Sequence, residues 1–156
     1  MKNINNVKNS KTFQNLETAF AGEAMANRKY LYFAKLAREF GNNEVAKIFE
    51  DTANQETGHA FAHLELLYPK NQMSVGKLLE IARDGELYEC NEMYPDFEAS
   101  ARQEGELEAL QEFQGQSQES RLHAELFRKA AKRFAVLKKV EKMHAQKYQI
   151  ALNSLF

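Results

Sequence analysis

The sequence predicts an all-α protein, a four-helix bundle with a long crossover between its second and third helices and an extended hairpin joining its third and fourth. Two observations carry this. Long stretches are rich in Ala, Glu, Lys, Leu and Gln, which favour helices, with only 2 prolines and 7 glycines to interrupt them. Within those stretches apolar residues recur at three- and four-residue steps, marking one face of each helix. A length of 156 residues suits a single domain, 1–156, with one core.

After a polar lead, Leu16, Ala19, Phe20, Ala26, Tyr30, Phe33 and Ala37 form the apolar stripe of a first helix over 12–39. Gly41-Asn42-Asn43 suits its C-terminal cap and the turn that follows. A second helix carries Val45, Ile48, Phe49, Thr52, Ala60, Leu64 and Leu67, and Pro69 ends it. The crossover then comprises the linker 70–74 and a short helix, 75–83, capped by Ser74 and interrupted at Asp84-Gly85. A third helix starts near Glu86 and contains Pro95, which predicts a kink or an irregular turn. Gly105 is one candidate end for it, but Leu107, Leu110 and Phe113 resume helical spacing. Gln114–Arg121 contains no apolar residue, and the preferred turn falls there. From about Gln118 to Asn153 the chain has no Gly or Pro and reads as one long fourth helix.

A net charge of -1 gives no electrostatic reason to expect nucleic acid or an anionic membrane as partner. The lone Cys90 excludes an internal disulfide and a thiolate metal cluster, and is read as structural; a cytoplasmic location is the simplest expectation. The polar N-terminus has no signal-peptide core, and no segment has the roughly 20 apolar residues of a membrane span.

The chemistry sits in two Glu-x-x-His pairs, Glu56/His59 and Glu141/His144, each on one helical face. Both continue the apolar stripe of their helix, as does Glu23 in the first helix. Glu89 and Glu92 add an i, i+3 pair in the third. Burying an unpaired ion costs several kcal/mol, against a net domain stability of about 5–15 kcal/mol, so five inward carboxylates require cations. Oxygen ligands with imidazole suit iron or manganese, and two divalent ions come close to balancing five carboxylates. One Glu from each of two helices plus Glu-x-x-His from each of two others is the ligand pattern of ferritin-like dimetal proteins.

Three strings resemble rubrerythrins: Phe20-Ala-Gly-Glu23 through Tyr30-Leu-Tyr-Phe33, Gln55-Glu56-Thr-Gly-His59, and Tyr88-Glu89-Cys-Asn-Glu92-Met93-Tyr94-Pro95. The resemblance implies a ferritin-like diiron bundle, its two irons oxo- or hydroxo-bridged when oxidised. It implies Glu23 as a terminal ligand, Glu56 and Glu141 as bridges, and Glu89 as a terminal ligand beside His144. Glu92 and His59 are implied as alternates at one iron, with Tyr30 and Tyr94 as hydrogen-bonding neighbours of the carboxylates. The implied activity is reduction of hydrogen peroxide to water. Ferroxidase or iron handling, with dioxygen as oxidant, is the alternative, and a non-enzymatic helical interaction module is the third reading.

Two departures qualify the resemblance. Full rubrerythrins carry a rubredoxin module with paired Cys-x-x-Cys motifs, so a chain with one cysteine implies a separate electron donor such as a rubredoxin or its reductase. The usual spacing from Phe113 also gives Ser120 and His123 where Glu-x-x-His is expected, whereas the same spacing from Phe134 gives Glu141 and His144. Leu122-His-Ala-Glu-Leu-Phe127 and Met143-His-Ala-Gln-Lys-Tyr148 resemble tandem copies, and the second is favoured. The alternative keeps the turn at Gly105 and uses Glu119 or Glu125 with His123. The extended hairpin predicts a homodimer, including one that exchanges helices. His63 is read as exposed or as a neighbour of the site.

Overall fold

The computed structural model describes residues 10–154; the first nine residues, where the absence of a signal peptide was read, and the last two lie outside the described residues. The helices are α1 (Lys11–Glu39), α2 (Asn43–Leu67), α3 (Val75–Tyr88), α4 (Tyr94–Glu104) and α5 (Leu107–Asn153). A 3-10 turn covers Lys70–Gln72, and a π-helical turn, Glu89–Met93, joins α3 directly to α4. The chain therefore forms four helical rods, with no strand among the described residues. No described helix is long and apolar enough to cross a membrane. Two compact units divide between Met73 and Ser74, and each is a helical hairpin.

In the first hairpin, Ser10 caps α1 by accepting the Phe13 N–H at 3.1 Å, and Asn42 caps α2 by accepting the Val45 N–H at 3.0 Å. Between them Gly41 adopts φ +80°, which lets the Asn42 N–H reach the Ala37 carbonyl at 2.8 Å. The face between the helices is lined by small residues, with Ala34, Ala37, Ala46, Ala53 and Ala60 buried. Their size brings the backbones close enough for Asn27 Nδ2 to donate across to the Ala53 carbonyl at 2.7 Å and to Thr57 Oγ1 at 2.9 Å. Phe49 packs on this alanine cluster and meets Tyr30 and Phe33, with ring centroids 6.0 and 5.6 Å apart. Ile48 and Phe33, expected in the core, are exposed, because the alanines occupy the contact between α1 and α2.

The second hairpin corrects two expectations. Asp84-Gly85 does not interrupt a helix; α3 runs through it to Tyr88. Nor does the chain turn at 114–121. It turns at Gly105, whose φ of +79° lets the Glu106 N–H bond the Ala101 carbonyl at 2.9 Å, and α5 then continues to Asn153. The segment without apolar residues is helical because its buried positions, Ser117 and Ser120, are small and polar rather than apolar. Across the hairpin Phe97 meets Phe113, Glu89 meets Ser120, Glu86 faces His123, and Gly76 lies against Phe134. These pairs share a midpoint near Gly105, as an antiparallel hairpin requires.

The π turn is the irregularity that Pro95 predicts. Proline has no N–H to donate, and the Tyr94 N–H instead bonds the Glu89 carbonyl, five residues back. Beyond Phe134 no α5 residue is buried, and Val136, Leu137, Val140, Met143 and Tyr148 form an open apolar stripe.

A Cβ added at Gly105 meets no atom within 4 Å, so Gly105→Ala isolates the cost of the left-handed conformation. Urea denaturation of this variant is expected to show a loss of about 1–2 kcal/mol.

Candidate metal centre

Among the described residues, Glu23, Glu56 and His59 form the one group of three ligand-type side chains whose donor atoms all lie within 4.8 Å of one another. The antiparallel pairing of α1 and α2 produces it: the helix position that follows Phe20 sets Glu23 against the helical face carrying both Glu56 and His59. His59 Nδ1 lies 2.8 Å from Glu56 Oε2 and 3.8 Å from Glu23 Oε2. Both carboxylates are half-buried and the imidazole is exposed. Hydrogen bonding with Glu23, and then with His59, outweighs burial and holds the Glu56 carboxyl below its usual range. Asn27, one helical turn after Glu23, ties α1 to α2 beside this group. Two carboxylates and an imidazole suit a hard to borderline divalent ion such as ferrous iron. Tyr30 lies two turns beyond Glu23, half-buried and stacked on Phe49.

In the second hairpin Glu89 is half-buried and its Oε2 accepts a hydrogen bond from Ser120 Oγ at 2.8 Å. One turn away Glu86 Oε1 lies 3.4 Å from His123 Nδ1. A carboxylate at Nδ1 orients the ring and leaves Nε2 as the free ligand atom. Tyr94 is packed by Phe97 and Phe113; burial, then the charges of Glu89, Glu112, Glu86 and Glu119, push its phenol up. Its hydroxyl therefore stays protonated across the neutral range. Cys90 is 2% exposed and its thiol donates to the Leu87 carbonyl at 3.6 Å.

The sequence-predicted residues divide accordingly. Glu23, Glu56 and His59 are brought together. Glu89 faces α5, whereas Glu92 is exposed, because the wider π turn between them breaks the α-helical i, i+3 alignment. Glu141 and His144 lie, within this hairpin, 21 residues past Ser120 and His123, about 31 Å along α5, and both are exposed. The turn at Gly105 sets Ser120 and His123 at the level of Glu89 instead. Of the other candidates beside His123, Glu125 is held by Arg128 through two contacts of 2.6 Å and by Lys129 at 3.5 Å, which pulls its carboxyl down to about 2. Glu86 and Asn27 were not singled out from the sequence. Glu86 had a legible signal, standing three before Glu89 as Ser120 stands three before His123; Asn27 had none.

A rubrerythrin family model matches residues 14–131, about three quarters of the chain. The chain belongs to the rubrerythrin family. It is 35% identical to nigerythrin of Nitratidesulfovibrio vulgaris over 142 residues, covering 80% of this chain and 70% of that protein. It is 30% identical to rubrerythrin-1 of Clostridium acetobutylicum over 167 residues, covering 97% and 75%. Against the rubrerythrin of N. vulgaris it is 37% identical over 113 residues, covering 65% of this chain and 59% of that protein. A solved structure of nigerythrin in a mixed-valence state aligns with a TM-score of 0.41 at 33% identity, covering 81% of this chain and 68% of that one. Membership makes the protein a ferritin-like, all-α oxidoreductase of a non-haem iron family.

Because the Glu56 pKa is lowered on folding, the stabilisation it reflects is in place above the ordinary value of 4.5 and is lost as pH falls below it. A pH series of urea midpoints is expected to show that acid limb in the metal-free protein and to show it flattened in Glu56→Gln.

Proposed function

We propose that the chain reduces hydrogen peroxide to water using two iron ions, with electrons delivered by a separate donor protein such as a rubredoxin or its reductase. The ligands we assign in the first hairpin are Glu23, Glu56 and His59, and those we assign in the second are Glu89, Glu92 and His123. The observation that carries this reading is the convergence of Glu23, Glu56 and His59 within 4.8 Å in a chain of the rubrerythrin family. The carboxylate and imidazole chemistry of these residues fits the metal.

When bound, the iron pair supplies two electrons and polarises the peroxide oxygens. The remaining work falls to the chain. Glu56 stays ionised at neutral pH, presenting a full charge to metal. Glu86 holds His123 with Nε2 free. The Tyr94 phenol, kept protonated by burial and then by its carboxylate neighbours, is assigned as a donor to those carboxylates, and Tyr30 is assigned the same role in the first hairpin. Peroxide reduction consumes two protons, and the exposed His59 and Glu92 are the groups in contact with solvent that relay them. The open stripe of Val136, Leu137 and Tyr148 on α5 supports a homodimer.

Two measurements test the reading. Iron counted after anaerobic reconstitution is expected to fall in His123→Ala and to be unchanged in His144→Ala; the reverse pattern returns the ligand role to Glu141 and His144. In stopped-flow mixing the reduced protein is expected to reoxidise faster with hydrogen peroxide than with dioxygen, and the opposite order overturns the peroxidase assignment.

A further inference from the structure

Ser120 is 4% exposed and stands three residues before His123, opposite Glu89. In a ferritin-like dimetal site this place on the fourth helix belongs to the glutamate of Glu-x-x-His, a carboxylate whose two oxygens can be shared between two ions. Serine has one neutral oxygen, and here that oxygen donates its proton to Glu89 Oε2 at 2.8 Å. We infer that Ser120 makes the two metal positions unequal: the ion held by Glu23, Glu56 and His59 binds tightly, and the ion that depends on Glu89 and His123 binds weakly and leaves first. This rests on the iron-binding reading above.

Three observations converge on it. The first hairpin has its three donor atoms within 4.8 Å without any contribution from the second, so one position is assembled locally. The second hairpin's polar groups are engaged with one another, Glu89 with Ser120 and Glu86 with His123, and α5 itself presents no carboxylate at position 120. Neighbouring acids do not replace it: Glu125 is committed to Arg128 and Lys129, and Glu119, beside Ser120 in sequence, is exposed on another face of α5. Loss of a shared anionic donor falls hardest on the ion with the fewest other donors, and three are already assembled in the first hairpin.

The test is an anaerobic titration of the metal-free protein with ferrous iron against a competing chromophoric chelator, with activity left out of the readout. The wild type is expected to take up two ions in separate steps, the second weaker by at least about tenfold. Ser120→Glu is expected to strengthen the second step more than the first and to bring the two steps close together. Ser120→Ala is expected to keep the weak second step, since the hydroxyl is not a ligand; His123→Ala is expected to abolish that step alone. Circular dichroism checks that the buried glutamate is accommodated, and Ser120→Asp, shorter and equally charged, replaces it if helicity falls. Two equal steps in the wild type, unmoved by Ser120→Glu and Ser120→Asp, overturn the inference and leave the iron reading standing. A wild type that binds no ferrous ion overturns both.

Discussion

The register of the second hairpin is set where α4 gives way to α5, at a glycine in the left-handed region with the Glu106 N–H turned back onto Ala101. Everything chemical in that half follows from the midpoint it imposes. With the chain reversing at Gly105, Glu89 must face Ser120, Glu86 must face His123, and the Phe97 ring must meet Phe113. A reversal eleven residues later would have presented Glu141 and His144 to the same carboxylates. One backbone dihedral thus selects which of two similar segments of α5 faces Glu86 and Glu89 within the hairpin.

Within each hairpin, small residues do the joining. Alanines line the contact of α1 with α2, and Cys90, Ala101, Ser117, Ser120 and Ala124 line the contact of α5 with the rod formed by α3, the π turn and α4. Close backbone approach is what lets short polar side chains such as Asn27 and Ser120 reach across to the opposing helix. The arrangement trades buried apolar area for polar pairing at the chemically active levels. Larger side chains such as Ile48, Leu122 and Leu137 are left on the outer faces.

The helical class, the first hairpin and its three ligand-type residues were legible in the sequence because each rests on local spacing: caps at Ser10 and Asn42, a glycine turn, and an i, i+3 pair on an apolar stripe. The second hairpin was less so. Its buried α5 positions are serines, invisible to a search for apolar periodicity, and the polar stretch around them reads as a loop. The choice between Ser120/His123 and Glu141/His144 turns on register, which spacing within one helix does not encode. Proline at 95 announced an irregularity, but its form and its effect on Glu92 depend on where the freed carbonyl finds a donor.

The π turn has a mechanical corollary. It holds one residue more than an α-helical path would, so expelling that residue would rotate everything after Met93 by about 100° about the helix axis. Such a rotation would carry Tyr94 and Phe97 off the Phe113 ring that both now touch. The three rings therefore act as a latch on a rotary joint.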